Sequence, residues 1–318
     1  MSDTIIITGA NGSAGIQAAE YLLKSYPDYT AILTVSDTSD RHSSRLAQVT
    51  ILQLDLADLS SYPPLKANVC NASYWSLVEA FEMTVEGFDK SIQVGHISRV
   101  LLVLRLISSF ATNSSGRITH MSPNMPNLSR DRSGRGFTRY ANAKPLATTW
   151  MCPLNRYLSQ FRHISAVAIN PGGLGDSRCF QTNTLKFIQL IARFVLKSMM
   201  PVINFFDPTF RSAAAAGVDI IDVAVNKAHP DYRGYLTLLQ KDGSDPITRD
   251  EEVQQRVWEK SVMRAHITAD RTALELSLQR AGIKREATLS QMPKGLEIAK
   301  LCAQGVITPN IDGKVVIC

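Results

Sequence analysis

Residues Thr4-Ile5-Ile6-Ile7-Thr8 are all β-branched, and they run without a break into Gly9-Ala10-Asn11-Gly12-Ser13-Ala14-Gly15. A run of this composition predicts a strand buried on both faces. Beyond the glycines, Ala14–Lys24 carries apolar residues at helical spacing. A strand that turns through glycines straight into a helix aims the first N–H groups of that helix at whatever lies above the strand end. The helix dipole adds to the attraction for negative charge. The pattern therefore predicts a phosphate-binding turn of the kind that holds a dinucleotide. Gly9, Asn11, Ser13, Ala14 and Gly15 would lie against it.

The alternation continues. Short β-branched runs at Ala31–Val35, Val49–Leu54, Arg117–Met121, Ile164–Ile169 and Tyr235–Leu239 alternate with helical patterns at His96–Ala111, Tyr140–Gln160 and Pro208–Val225. Such units imply an α/β fold, a single doubly wound Rossmann-type parallel sheet with helices on both faces. The 318 residues suffice for one such domain, expected over 1–265. It would include a substrate-lid segment at 180–206. Within it, the apolar stretch Leu185–Phe206 carries Lys186, Arg193 and Lys197 and breaks at Pro201, which suits an amphipathic lid better than a membrane span. Residues 266–318 read as a C-terminal extension. It has one helix candidate at Arg271–Arg280 and a Gly313–Cys318 run expected to form an edge strand.

Composition removes several classes. At 45% apolar and 19% charged residues the chain is not a disordered one. Its five cysteines are scattered, odd in number and without a CxxC pair, so a reduced, cytoplasmic protein is expected and a metal site is not. No basic segment followed by an apolar one opens the chain, so no secretory signal is expected. The net charge of +6 is dispersed. Arg130, Arg132, Arg135 and Arg139 cluster, but Gly134 and Gly136 interrupt them, which describes a surface loop rather than a nucleic-acid-binding helix.

Chemistry concentrates in Tyr140-Ala141-Asn142-Ala143-Lys144. Four residues apart on a helix, a phenol and an ammonium share one face. Hydride transfer to a carbonyl needs a proton donor at its oxygen, and a neighbouring cation brings a phenol from near pH 10 toward working pH.

Taken in order, these segments resemble the short-chain dehydrogenase/reductase family. The glycine turn is similar to its TGxxxGxG fingerprint, with Ser13 in the middle glycine's place. Asp55-Leu56 resembles its adenine-side Asp-Leu, Asn71-Ala72-Ser73 its Asn-Ala-Gly, Tyr140 and Lys144 its YxxxK pair, and Pro171-Gly172 its nicotinamide-side Pro-Gly. Arg256–Ser261 resembles a segment of the retinol-dehydrogenase-like and fungal secondary-metabolite reductase subgroup. The resemblance implies that Tyr140 protonates the carbonyl, that Lys144 lowers its pKa and binds the ribose, and that Ser122 orients the substrate oxygen. It further implies cofactor contacts at Asp55, Leu56, Asn71, Ala72, Pro171 and Gly172.

Several positions depart from the pattern. Ser122-Pro123 stands where the family has two serines, Gly95 where it has the relay asparagine before His96, and Asp176 where it has a threonine. The connection from Asp55 to Asn71 is short and holds Pro63 and Pro64, so a shortened crossover is expected between the third and fourth strands. After the second strand the usual acid is Val35. Ser36 and Arg41 are placed to hold a 2′-phosphate, which favours NADP(H), with NAD(H) the alternative.

The function implied is an NADP(H)-dependent oxidoreductase acting on a lipophilic small-molecule carbonyl, in secondary metabolism. No nucleic-acid partner and no membrane span are expected, and a homo-oligomer is left open. Two other readings stay open at this point: a non-redox cyclase, isomerase or dehydratase on the same fold, and a nucleotide-binding scaffold without catalysis.

Overall fold

A computed structural model describes residues 3–35, 64–75, 82–112, 115–122, 136–161, 163–177, 207 and 209–274, and two short strands at 307–309 and 315–317. Along 136–142 and the last two strands it gives the course of the backbone. The expected strand Val49–Leu54, the crossover to Asn71, the lid segment 180–206, and Ser36, Arg41, Asp55, Leu56 and Pro123 lie outside the described residues.

Among the described residues seven strands form one sheet in the order β2-β1-β3-β4-β5-β8-β9. They are β1 Thr4–Thr8, β2 Thr30–Thr34, β3 Leu65–Cys70, β4 Gly116–Met121, β5 Ile164–Asn170, β8 Gly234–Thr237 and β9 Gln240–Asp242. Pairing is parallel from β2 through β8, and β9 closes the edge antiparallel. The chain leaves β1 for β2 on one side, then returns to β3 on the other. That reversal opens a crevice at the carboxyl ends of β1 and β3, the place where open α/β sheets bind ligands. The Gly9 turn follows β1 at this point.

Both faces are covered. On one side Ile5, Ile7, Val69 and Ile169 pack with helix α1 (Ser13–Ser25) and helix α4 (Ala213–Ala224). A Cβ on Gly217 of α4 would sit 2.6 Å from the Ala18 nitrogen, so glycine there lets the two helices touch backbone to backbone. On the other side Ile6, Ile118 and Ala168 pack with helix α2 (Lys90–Ser109), helix α3 (Gly136–Tyr157) and helix α6 (Glu251–Arg264). A short helix α5 (Pro246–Arg249) leads into α6. Trp258 of α6 stacks between Trp150 (centroids 5.5 Å apart, 13° between planes) and Tyr157 (4.6 Å, 16°). Each such ring pair is worth about 0.5–1.5 kcal/mol beyond the area it buries. Ile267 and Leu274 also belong to this core, which therefore runs on past residue 265.

Four expectations are corrected. Strand β3 escaped the periodicity because Lys66 and Asn68 interrupt its apolar run, although both are buried. Helix α2 starts six residues before His96, because the Asp89 carboxylate accepts from the Ser91 and Ile92 N–H groups and caps it there. Helix α4 starts at Ala213 rather than Pro208, because Phe210–Arg211 is a strand (β7) paired parallel with Gly173–Leu174 (β6). The C-terminal Val315–Ile317 (β11) joins no edge of the main sheet and pairs antiparallel with Ile307–Pro309 (β10).

Among the described residues Lys90–Ser109 is the one helix long and apolar enough to cross a membrane, and it packs against the sheet.

Candidate active site

Four strand ends meet in the crevice: Gly9 after β1, Asn71 and Ala72 after β3, Ser122 after β4, and Pro171 and Gly172 after β5. The tightest part is the glycine turn. Gly9 has φ +63°, and a Cβ there would stand 2.7 Å from the Ala72 Cα. A Cβ on Gly15 would stand 2.4 Å from the Gly9 carbonyl oxygen and 2.9 Å from Asn71 Nδ2. Asn71 Nδ2 donates to that same carbonyl at 2.8 Å. Thr8 Oγ1 accepts from the Asn71 and Ala72 N–H groups, each at 3.1 Å. The turn is thus stitched to the end of β3 by side chain and backbone, with Thr8 the seam. Residue types alone did not single out Thr8 as a site residue, since it reads as one more β-branched residue of the strand.

Helix α1 begins at Ser13 with Gly12 as its N-cap, and it has no acidic residue in its first turn. Ala14 and Gly15 follow in that turn, and Asn11 precedes the cap. The N-terminus keeps its positive end for an anion, as the sequence pattern requires. At Gly9 and Gly15 the space a Cβ would need is already taken by the Ala72 backbone, the Gly9 carbonyl and Asn71, so the turn closes this tightly only with glycine. The start of α1, without side-chain cap or acidic residue, is the part that fits a dinucleotide pyrophosphate. Ser13 Oγ stands 3.4 Å from Ser177 Oγ, which joins the glycine turn to the segment after β5.

That segment is held as firmly. Gly172 has φ +83°, and a Cβ there would lie 2.0 Å from the Thr209 carbonyl oxygen. Arg211 Nε donates to the Pro171 carbonyl at 2.7 Å. Asp176, in the family threonine's position, accepts from the Ala213 N–H at 2.7 Å and so helps Ser212 cap helix α4.

Helix α3 carries Tyr140 and, one turn later, Lys144. Since the helix begins at Gly136, Pro145 falls in its interior rather than near its start, as does Pro153. Each proline removes an intrahelical hydrogen bond. Near the first, side chains use the helix carbonyls: Thr149 Oγ1 donates to the Pro145 carbonyl at 2.8 Å, and Ser122 Oγ to the Lys144 carbonyl at 3.1 Å. Ser122 is buried, and its hydroxyl also lies 2.5 Å from Thr148 Oγ1. Lys144 is 3% exposed. Burial, reinforced by the Arg99 cation, pushes its ammonium well below the ordinary lysine range.

Gly95 explains one departure from the family pattern. It sits in a wide π-type turn of α2, Gln93–Ile97, and a Cβ on it would stand 3.2 Å from the Ala143 Cβ. Glycine here lets α2 and α3 approach right beside Lys144, where an asparagine would have to push Ala143 aside.

Beneath the crevice lie two buried histidines. His96 Nε2 is 2.6 Å from Ser261 Oγ, while neither ring nitrogen of His120 has a hydrogen-bond partner. Both rings meet Trp150 edge to face. Burial, with the Arg99 cation next, lowers both from the usual 6.5 to about 3. Neutral when folded and protonatable when unfolded, each makes the unfolded chain the better proton acceptor between about pH 3 and 6.5. Stability is then complete above about pH 6.5 and falls as pH drops through that window, by about 3 kcal/mol per histidine at about pH 4.5. Urea melts at pH 7 and about 4.5 check this. His120→Leu should recover about half of the acid loss, and an unchanged acid loss in that variant would contradict it.

A family model described as the AcuH dehydrogenase domain matches residues 178–274, a stretch that includes helices α4 to α6. Dehydrogenase acuH of Aspergillus aculeatus is 41% identical over 92 residues, 29% of this chain and 94% of that protein. Short-chain dehydrogenase iccH of Talaromyces variabilis is 25% identical over 362 aligned positions, covering 86% of this chain and 98% of its own. Among solved structures, a short-chain dehydrogenase/reductase from Saccharomyces cerevisiae superposes with a TM-score of 0.53 at 14% identity, covering 78% of this chain and 99% of that one. The angucycline C-6 ketoreductase LanV with bound NADP superposes with a TM-score of 0.50 at 18% identity, covering 74% and 93%. The solved structures speak to the fold, and the two fungal dehydrogenases to kinship. With the glycine turn and the switch-point crevice, they lead to one conclusion: the chain belongs to the short-chain dehydrogenase/reductase family.

Proposed function

We propose that this protein is an NADP(H)-dependent reductase of a lipophilic carbonyl compound, acting in secondary metabolism. The observation that carries this reading is the stitched turn: Gly9 and Gly15 are held against Asn71 and Ala72 so closely that no side chain fits, at the switch-point crevice of the sheet. The names of its two fungal relatives and the NADP in LanV support the same reading. A reducing, cytoplasmic setting suits the free thiols of Cys70 and Cys152.

In this reading Gly9, Asn11, Ser13, Ala14, Gly15, Asn71, Ala72, Pro171 and Gly172 hold the dinucleotide, with Asp55 and Leu56 on its adenine side. When bound, NADPH supplies the hydride. The Tyr140 phenol donates its proton to the carbonyl oxygen as that oxygen becomes an alcohol. Lys144 holds the ribose and, by its charge, makes the phenol a better donor. Ser122 orients the substrate oxygen, which requires its hydroxyl to turn from Thr148. The apolar Leu185–Phe206 segment gives the substrate its lipophilic surroundings. The shared fold with a non-redox reaction has no observation of its own in favour.

Dinucleotide choice is read directly by fluorescence titration with NADPH and NADH. Val35 offers no carboxylate to a ribose 2′-OH, whereas Ser36 and Arg41 suit a 2′-phosphate. NADPH should bind about tenfold more tightly, about the value of one charged hydrogen bond. Arg41→Ala should narrow the gap. Tighter binding of NADH to the unaltered protein would overturn the preference.

A further inference from the structure

Arg99 lies on α2 one helical turn beyond Gly95, and it is 3% exposed. Its guanidinium is a fork: Nη2 donates to the Ala72 carbonyl at 2.5 Å and Nη1 to the Met121 carbonyl at 3.3 Å. The first acceptor ends the β3 segment that grips the glycine turn, and the second immediately precedes Ser122. One planar cation therefore spans the carboxyl ends of two adjacent strands, at the crevice floor. We propose that Arg99 is a positioning residue of this site, fixing the β3 and β4 ends that carry Ala72 and Ser122 and holding its cation across the α2–α3 contact from Lys144, without touching the substrate.

Geometry gives the first half. A buried arginine that donates to two backbone carbonyls restrains both strand ends at once, which a lysine's single ammonium cannot match in fork geometry. Electrostatics gives the second. Arg99 acts on Lys144 from across the α2–α3 contact, on His96 of its own helix, on His120 of β4 and on Cys70 of β3. Arg264 of α6 acts on His96 from the far side. With both histidines neutral and the Cys70 thiol pushed up to about 11, Arg99 is the charge these groups share. The two like charges make loss of the Lys144 proton easier.

The proposal rests on the reading of Lys144 as the ribose-binding cation. In that case NADPH affinity declines as pH rises through the Lys144 pKa, and the position of that alkaline limb reports the Arg99 charge. The experiment measures NADPH affinity against pH, by nicotinamide fluorescence, on the full-length protein and on Arg99→Gln and Arg99→Lys. Arg99→Gln keeps an N–H donor but removes the charge, and its alkaline limb should move to higher pH. Arg99→Lys keeps the charge but loses the fork, and should bind NADPH several-fold more weakly with its limb unmoved. A folded Arg99→Gln protein with an unmoved limb overturns the proposal. If Arg99→Gln does not fold, Arg99→Lys decides: native affinity, or a moved limb, overturns it. Failure of the unaltered protein to bind NADPH at all would instead strike the functional reading, so the two failures are distinguishable.

Discussion

Gly15→Val should lower NADPH affinity at least 100-fold while leaving the sheet folded. The reason is steric and local. The first added carbon already stands 2.4 Å from the Gly9 carbonyl oxygen and 3.0 Å from the Ala10 Cα, both backbone, so nothing flexible can yield. The turn must open, and the N–H groups at the start of α1 lose their common aim. Gly9→Val should act in the same direction and cost stability too, because φ +63° is strained for a β-branched residue. Gly12→Ala is the control. Its Cβ would meet the Gly9 oxygen at 3.2 Å, a contact a small shift relieves, so affinity should fall less than tenfold. Circular dichroism checks folding and fluorescence titration checks binding. Native affinity in both valine variants would remove the glycine turn from the cofactor site.

Tyr140→Phe should cut turnover by about 10²–10⁴-fold, the usual contribution of a general acid, with NADPH affinity nearly unchanged. Lys144→Ala should lower both turnover and NADPH affinity, since one ammonium serves the phenol and the ribose. That difference between the two variants separates proton donation from cofactor holding. If Tyr140→Phe retains native turnover, the proton comes from another group.

Much of this site is legible along the chain, for a physical reason. A phosphate turn is a local device, with strand, glycines and helix N-terminus contiguous in sequence, and both Gly9 and Gly15 stand where that device needs them. The strand ends at Ser122 and Pro171 follow from strand–helix alternation once the sheet is parallel, whereas Asn71 is marked by its resemblance to the family's Asn-Ala-Gly. What sequence reading missed is long-range. Thr8 looks like a strand residue until its hydroxyl is seen accepting from Asn71 and Ala72. Arg99 looks like a solvated charge on an amphipathic helix until its fork is seen bridging Ala72 and Met121. Gly95 looks like a lost catalytic asparagine until Ala143 is seen against it. Strand β3 shows the converse case, where buried Lys66 and Asn68 hide a core strand behind polar residues.

The most direct measurement follows NADPH absorbance and product together, for the unaltered protein offered lipophilic ketones. A reductase of this family consumes one NADPH for each alcohol formed, and Tyr140→Phe loses both signals in parallel. Product formed without loss of NADPH would contradict the reductase and leave the fold serving a non-redox reaction.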